Sequence, residues 1–335
     1  MSTDLRTSPL LDLPGAVAGE GIDAGVAAHY GSLYGEQRAL AAGEGFVDLS
    51  HRDVIRVSGP DRLSWLHSMT TQSFEGLEPG RWTSALLLDA QGRVEHAFSG
   101  ADDGEAFTAH TEPGAAAGLL GFLDRMRFML RVEVADVTDE LAVAWRPAAG
   151  GGKHDLVPRE QLASYAEAAG PAAGLWAYEA LRIARGEPRL GFDTDERTIP
   201  NEVGWLALAT DPGADPGADP AWLPAVHLDK GCYRGQETVA RVHNLGRPPR
   251  RLTLLHLDGS ENRLPARGAE VLPEGGGRAV GFVGSSARHH ELGPIALALV
   301  KRNTDVAAPL VVDGLPAAQE VVVDPEIGKH FRPQR

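Results

Sequence analysis

The chain has 335 residues, of which 43% are hydrophobic and 23% charged, a balance typical of a globular protein with more than one core. Its formal net charge of −14 argues against a protein whose main partner is nucleic acid, because phosphate binding draws on a basic surface. The single cysteine, Cys232, excludes a disulfide framework, a zinc knuckle and a four-cysteine iron–sulfur cluster built within one chain.

Residues 1–24 are rich in Pro, Gly and Asp and are predicted to be a flexible leader. They lack the basic segment followed by an apolar segment that marks a signal peptide. Nowhere does the chain approach the run of about 18 apolar residues that a membrane-spanning helix needs. We therefore expect a cytoplasmic protein that has no membrane partner.

Residues 25–250 are predicted to form the main α+β region, in two interleaved subdomains, because helices, strands and hairpins intermix there without a regular β-α-β order. A hairpin is expected around the turn formed by residues 89–92. The predicted elements are helices over 27–43, 62–69, 112–125, 178–184 and 238–243, and strands over 53–57, 82–88, 93–98 and 131–137.

Residues 251–335 are predicted to form a C-terminal β-barrel. Short alternating strands separated by turns are expected over 252–257, 268–272, 279–284, 295–300 and 310–312. His289 and His290 lie in one of the predicted turns. Two adjacent histidines without a third ligand nearby are typical of a polar turn rather than a zinc site, so no metal is expected.

The chemistry of the chain is expected in an octet around its only cysteine. The helix predicted after this octet places Cys232 just before a helix N-terminus, where the helix dipole and two flanking cations favour a thiolate. The alternative is that Cys232 packs as a small hydrophobic residue, although the neighbouring glycines and charges favour a reactive thiol. The octet consists of Lys230, Gly231, Cys232, Tyr233, Arg234, Gly235, Gln236 and Glu237.

This octet resembles the K-G-C-Y-x-G-Q-E signature of the YgfZ family, tetrahydrofolate-binding relatives of the glycine-cleavage T-protein (aminomethyltransferase) that are implicated in building or repairing iron–sulfur proteins. The resemblance covers about 48–302 and includes similar stretches at 181–191, 199–202 and 244–247. It implies a three-domain ring of the T-protein type. Two mixed α/β units and a C-terminal β-barrel would surround tetrahydrofolate, or a derivative of it, in a central funnel.

The resemblance supplies three candidate cofactor-binding residues, Glu202, Arg247 and Asp193. A reduced pterin presents an N–H and an amino group side by side, and the Glu202 carboxylate is suited to accept both as a two-point fork. Arg247 would be the cationic partner. The alternatives are that Glu202 is a solvated loop carboxylate and Arg247 a surface charge.

The chain departs from the T-protein pattern after the hairpin turn. T-proteins carry an aspartate pair there, and this chain has Glu95 and His96 in the corresponding stretch. Glu95 is a candidate substitute and His96 a candidate general base at neutral pH, but strand alternation points them in opposite directions. The alternative for His96 is an exposed strand histidine. Loss of the aspartate pair argues against aminomethyl transfer.

The sequence thus predicts a tetrahydrofolate-binding protein that supports iron–sulfur cluster assembly or repair, and through it tRNA modification. Cys232 would hold a metal, a sulfur species or a one-carbon adduct, and the expected partners are folate and iron–sulfur client proteins. The enzyme alternative is a folate-dependent aminomethyl or methyl transferase in which Glu95 or His96 moves a proton. A third alternative is an RNA-binding module, against which the acidity of the chain argues.

Overall fold

The computed structural model describes residues 6–148, 152–206 and 224–328. These residues divide into two compact units, and each unit is built from segments that are distant in sequence. The first unit contains 6–87, 96–148, 152–178 and 224–233, and the second contains 88–95, 179–206 and 234–328.

The helices of the described residues are short. The helix predicted over 62–69 has those bounds, and the helices predicted over 112–125, 178–184 and 238–243 differ from the observed ones by up to four residues at an end. The helix predicted over 27–43 is wrong at its start, because residues 27–29 form a strand and the helix begins at Leu33. Short 3-10 helices occur at Pro9–Asp12, Gly21–Asp23, Arg159–Gln161 and Pro200–Glu202. The α-helices are α1 (Leu33–Ala41), α2 (Arg62–Met69), α3 (Ala116–Met126), α4 (Leu162–Ala169), α5 (Leu175–Ala184) and α6 (Gln236–Leu245).

Strands supply the framework of both units. In the first unit they are β1 (Val17–Ala18), β2 (Ala27–His29), β3 (Phe46–Asp48), β4 (Asp53–Ser58), β5 (Trp82–Leu88), β6 (Val94–Asp102), β7 (Ala106–Thr111), β8 (Glu133–Asp136), β9 (Leu141–Arg146), β10 (Lys153–Pro158) and β11 (Ala172–Ala173). The turn between β5 and β6, with the adjoining strand ends, belongs to the second unit. In the second unit they are β12 (Arg250–Leu257), β13 (Glu270–Pro273), β14 (Gly281–His289), β15 (Gly293–Lys301), β16 (Leu310–Val312) and β17 (Leu315–Val321).

The first unit is built on a five-stranded sheet in the order β5-β6-β7-β4-β8 and a four-stranded sheet in the order β10-β9-β3-β11. Helix α3 buries Leu119 and Leu123, which are four residues apart and therefore lie on one face of the helix. They pack with Trp65 of α2 and with Phe107 of β7 in one hydrophobic core. This arrangement confirms the mixed α/β content that the sequence predicts.

The second unit contains a closed barrel in the strand order β12-β15-β14-β13-β16-β17. Alternate residues of each strand fill its interior, as Ala296, Ala298 and Val300 do on β15. The predicted barrel is therefore confirmed. The sequence analysis missed β17, which pairs with β16 through a tight turn where Asp313 and Gly314 both have positive φ.

The described part of the predicted leader, residues 6–24, is folded against the first unit. Ser8 begins the 3-10 helix Pro9–Asp12 by accepting a hydrogen bond from Leu10 N. The Leu10 side chain is only 2% exposed and packs with Phe46 of β3 and Leu162 of α4. This differs from the flexible leader that we predicted, because one buried leucine ties a segment of loop-like composition to the core. Residues 1–5 lie outside the described part of the chain.

A search of the described residues for a helix that could cross a membrane finds none of sufficient length and apolarity.

Candidate functional site

Lys230, the first residue of the octet, is an anchor in the first unit. Its buried ammonium group donates to the backbone carbonyls of His67 and Thr70 at the C-terminal end of α2. The last carbonyls of a helix have no partner within the helix and carry partial negative charge, so a cation stabilises this position. Burial lowers the pKa of Lys230 to about 8.

Cys232 is exposed to solvent and forms no disulfide. Tyr233 beside it is buried, with its ring centroid 5.2 Å from Lys230 Nζ, and burial raises the pKa of its phenol to about 12. The chain thus buries Lys230 and Tyr233 and presents the thiol between them. The alternative in which Cys232 packs as a buried hydrophobic residue is wrong.

The two cations expected to favour the thiolate are bonded to other groups. Lys230 is held by the carbonyls at the end of α2, and Arg234 Nη1 donates to Glu95 Oε2 at 3.2 Å. Arg234 and Glu95 are both partly exposed, so their ion pair contributes little to stability. Glu95, a candidate proton-transfer residue, is therefore the partner of a residue of the octet.

The second half of the octet is held by a backbone contact with the β5–β6 turn, within the second unit. Gly235 has φ +83°, and a Cβ atom added to it would lie 2.6 Å from Asp89 O and 2.8 Å from Gly92 Cα. A Cβ on Gly92 would in turn lie 2.8 Å from Thr238 Cβ. Only glycine permits this approach at both positions.

Helix α6 begins immediately after this contact, at Gln236, with Gly235 as its N-cap. Glu237 lies in its first turn, where a negative charge is favoured by the helix dipole. Cys232 lies three residues before the N-cap. The helix predicted over 238–243 is thus present and extends further at both ends.

Glu95 and His96 face different directions on β6, as strand alternation predicts. The His96 ring centroid lies 6.3 Å from that of Phe122 on α3, and its Cε1 atom would be 3.2 Å from a Cβ atom on Gly118. His96 is therefore partly buried against α3, which differs from an exposed strand histidine.

The Glu202 side chain is almost fully buried and ion-paired with Arg250 at the start of β12. Glu202 Oε1 accepts a hydrogen bond from Arg250 Nε at 2.9 Å, and Oε2 accepts from Arg250 Nη2 at 2.8 Å and from Ile199 N at 3.2 Å. Asp195 accepts from the other side of the same guanidinium, at 2.6 Å and 3.0 Å. Burial would lower the pKa of Arg250, but Glu202 and Asp195 raise it overall.

The cationic partner of Glu202 in the structure is thus Arg250, whereas the sequence analysis suggested Arg247. Arg247 is exposed in the segment after α6. One signal could have identified Arg250. It lies beside Arg251 at the start of a predicted strand, and strand alternation places two adjacent side chains on opposite faces. Arg251 is the buried one, so Arg250 is on the other face.

Asp193, which the sequence analysis suggested as a cofactor-binding residue, is instead buried and bonded to other residues of the protein. Its side chain is 0% exposed; Oδ1 accepts from Ser285 N at 2.7 Å, and Oδ2 accepts from Arg189 N at 2.8 Å and Arg182 Nη1 at 3.0 Å. Burial would lower the pKa of Arg182, but the carboxylates of Glu179 and Asp193 raise it overall. Asp193 therefore ties the loop after α5 to strand β14.

His289 also differs from its predicted environment. It is the last residue of β14 and is buried, and its Nδ1 accepts from the backbone N–H groups of Glu291 and Leu292, each at 3.2 Å. The rings of His289 and His290 are 4.6 Å apart. In the described parts of the chain, no three His, Cys, Asp or Glu side chains gather in an arrangement that could hold a metal ion.

Comparison with curated proteins gives three informative relatives, and no family model matches. The chain is 25% identical over 246 residues to a putative chloroplastic transferase of Arabidopsis thaliana, covering 63% of this chain and 56% of that protein. It is 26% identical over 218 residues to a mitochondrial iron–sulfur cluster assembly factor, the IBA57 homolog of Pyricularia oryzae, covering 60% and 54%. It is 28% identical over 240 residues to the tRNA-modifying protein YgfZ of Edwardsiella ictaluri, covering 63% and 70%. The chain spans about half the length of the first two relatives.

The fold is that of the aminomethyltransferases. The structure matches the crystal structure of the glycine cleavage system aminomethyltransferase T from Bartonella henselae with a TM-score of 0.75, over 98% of this chain and 99% of that one, at 18% identity. The predicted fold class is thereby confirmed. The YgfZ and IBA57 relatives agree with the resemblance to the YgfZ family that the sequence analysis describes.

We predict that Gly235→Ala destabilises the protein, whereas Gly231→Ala in the same octet does not. Alanine at Gly235 must adopt a positive φ, at a cost of about 1–3 kcal/mol, and its Cβ atom also meets Asp89 O. No atom lies within 4 Å of a Cβ on Gly231, so that change should alter the free energy of unfolding by less than about 0.5 kcal/mol. Urea unfolding of both variants measures the difference, and equal stabilities would contradict the proposed backbone contact.

We predict that the stability of the wild type rises between pH 8 and 10.5 relative to Lys230→Met. The folded pKa of Lys230, about 8, is below the value of 10.5 for an unperturbed lysine. In that window the unfolded chain holds the proton and the folded protein does not, so unfolding becomes less favourable as the pH rises, by roughly 3 kcal/mol in total. Urea unfolding at several pH values tests this.

The exposed Lys301 supplies the control for this experiment, because Lys301→Met should have the same pH slope as the wild type. Parallel slopes for the wild type and Lys230→Met would mean that Lys230 titrates normally in the folded protein.

Proposed function

We propose that this protein binds tetrahydrofolate or a derivative and supports the assembly or repair of iron–sulfur proteins, using Cys232 as its reactive group. The observation that carries the proposal is the exposure of this thiol between two buried, anchored neighbours, Lys230 and Tyr233. A thiol held at a fixed position and open to solvent is suited to hold a metal, a sulfur species or a carbon adduct transiently.

The names of the relatives support the iron–sulfur half of this proposal, since one is an iron–sulfur cluster assembly factor and another a tRNA-modifying protein. The folate half is supported by the resemblance to the tetrahydrofolate-binding YgfZ family and agrees with the fold, which is that of an aminomethyltransferase. A role in tRNA modification would be indirect, through iron–sulfur client enzymes. The net charge of −14 opposes direct binding of RNA.

The segment that carries Glu202 offers acceptors to a folate. Glu202 Oε1 accepts one hydrogen bond from Arg250 and retains acceptor capacity, and the buried Oδ1 of Asn201 has no hydrogen-bond partner among the described residues. A reduced pterin brings adjacent N–H donors, so the donors and acceptors are complementary. Tetrahydrofolate would supply the one-carbon chemistry, and these residues would orient it.

Arg250 modifies the contact that the sequence analysis suggested for Glu202. Because Arg250 already occupies one position on each oxygen of Glu202, a folate would share the carboxylate with the arginine instead of taking a free fork. Arg250 would hold Glu202 in place for the ligand. Arg247, which is exposed, would contact a solvent-facing part of the folate such as its glutamate tail.

We predict that Glu202→Gln weakens tetrahydrofolate binding about 5- to 150-fold, as expected when a buried donor loses its charged acceptor at a cost of about 1–3 kcal/mol. Asp195→Asn is the matched control, because it also removes a carboxylate from Arg250 but not the proposed folate acceptor. Calorimetric titration of both folded variants measures the effect. An equal loss in both would show that Glu202 acts only through Arg250.

A folate-dependent aminomethyl or methyl transferase is the second candidate, favoured by the T-protein fold. It requires a proton-transfer residue, and the two candidates are Glu95, which is paired with Arg234, and His96, which packs beside Phe122. An assay for formation of 5,10-methylene-tetrahydrofolate from aminomethyl donors separates the two functions. Turnover that is lost on Glu95→Gln or His96→Gln would favour the enzyme.

We predict that Cys232→Ala keeps the fold and the folate affinity but loses support of an iron–sulfur client. The side chain is exposed, so its truncation should cost at most about 1 kcal/mol. Thermal unfolding, folate titration and client activity in a strain lacking the protein measure the three properties, and iodoacetamide should modify the folded wild type at this residue. Full client activity with Cys232→Ala would mean that the function does not use the thiol.

A further inference from the structure

A cluster of aromatic and charged side chains in the first unit is not part of the octet or of the Glu202 segment. We call it the arginine–histidine cluster. Its centre is Arg52, in the turn before β4, and His110, on β7, whose Nδ1 lies 3.4 Å from Arg52 Nη1. Its other members are Trp82 on β5, Glu112 after β7, His154 on β10 and Tyr178 on α5.

Arg52 is a buried cation whose one ion pair among the described residues, with Glu112, is long. It is only 6% exposed, and the carboxylate of Glu112 lies 4.0 Å from its Nη2 atom, beyond hydrogen-bond distance. Nη2 donates to the Tyr178 hydroxyl at 3.5 Å, a long bond, and Nε has no hydrogen-bond partner among the described residues. A buried guanidinium with an unsatisfied donor is costly unless an anion reaches it.

His110 adds a second unsatisfied donor. Arginine can only donate, so the Nδ1 atom that faces Arg52 accepts, and the ring proton is then on Nε2. Burial lowers the pKa of His110, and His154 and Arg52 lower it further, in agreement with this neutral form. The buried Nε2 atom has no hydrogen-bond partner in the described part of the chain. Both unsatisfied atoms, Arg52 Nε and His110 Nε2, are donors, so the missing partner is an acceptor.

Aromatic rings surround these donors. Trp82 stacks on His154 with centroids 5.7 Å apart and an angle of 16° between the rings, and His110 lies 4.7 Å from His154. Tyr178 also lies beside Arg52, with 5.7 Å between its ring centroid and the guanidinium carbon. Trp82, His154 and Glu112 are partly exposed, so the cluster is open to solvent on their side.

We propose that the arginine–histidine cluster binds a carboxylate carried on a planar ring, with Arg52 and His110 donating to the carboxylate and the exposed aromatic side chains contacting the ring. A carboxylate offers an acceptor oxygen to each of the two donors, and its charge complements that of Arg52, whose ion pair with Glu112 is long. The stacked rings favour a flat substituent over an aliphatic one. The proposal does not depend on the proposed folate and thiol function.

The test is calorimetric titration of the full chain with benzoate, with benzamide as its neutral analogue, and with inorganic phosphate. Benzoate should bind with a Kd on the order of 1 mM or tighter, and benzamide and phosphate at least about ten-fold more weakly. Arg52→Met should weaken benzoate binding at least about ten-fold, and thermal unfolding checks that the variant is folded. The control is Arg56→Met on β4, an arginine that pairs with Glu140 at 3.0 Å, and it should leave benzoate binding unchanged.

A second variant, His110→Phe, keeps a ring of similar shape and removes the Nε2 donor, so it tests the site even if Arg52→Met does not fold. His110→Phe should weaken the binding of benzoate and leave the weak binding of benzamide unchanged. The proposal is overturned if benzoate does not bind, if benzamide or phosphate binds as tightly as benzoate, or if benzoate affinity is the same in the folded variants as in the wild type.

Discussion

The bond between the Lys230 ammonium group and the carbonyls at the end of α2 is the constraint on which the candidate site depends. It takes a charged residue out of solvent and satisfies helix carbonyls that would otherwise lack partners. Tyr233 packs beside it, so the chain is fixed on both sides of Cys232. The burial of Lys230 and Tyr233 holds this part of the octet in place and leaves the Cys232 thiol exposed.

The buried charges of the second unit show how one arginine can serve two carboxylates. Arg250 holds Glu202 and Asp195 together, and Arg182 holds Asp193 and Glu179. The two clusters differ in what remains available. Asp193 is fully enclosed by donors of the protein, whereas Glu202 retains acceptor capacity beside the unsatisfied Asn201. Of these two clusters, only the Glu202 cluster therefore has acceptor atoms left for the donors of a ligand.

Local signals predicted much of the fold. The helix predicted over 62–69 has the bounds of α2, and the cysteine octet indicated a resemblance to YgfZ, a protein to which the chain is similar. Signals that depend on tertiary contacts could not be read. Leu10 becomes a core residue only when β3 and α4 are in place, and Arg250 is identified as the partner of Glu202 only by the folded barrel. Strand β17 was missed because Pro316, near its start, is typical of a turn.

The approach of Gly92 to Gly235 joins two short segments from distant parts of the chain. A mutation that enlarges either glycine, or a residue inserted into either turn, changes the surface that the other turn must fit. The two turns must therefore be compatible in size, because each leaves the other room only for glycine. A family signature written on the cysteine octet alone describes one side of a contact whose other side is the β5–β6 hairpin.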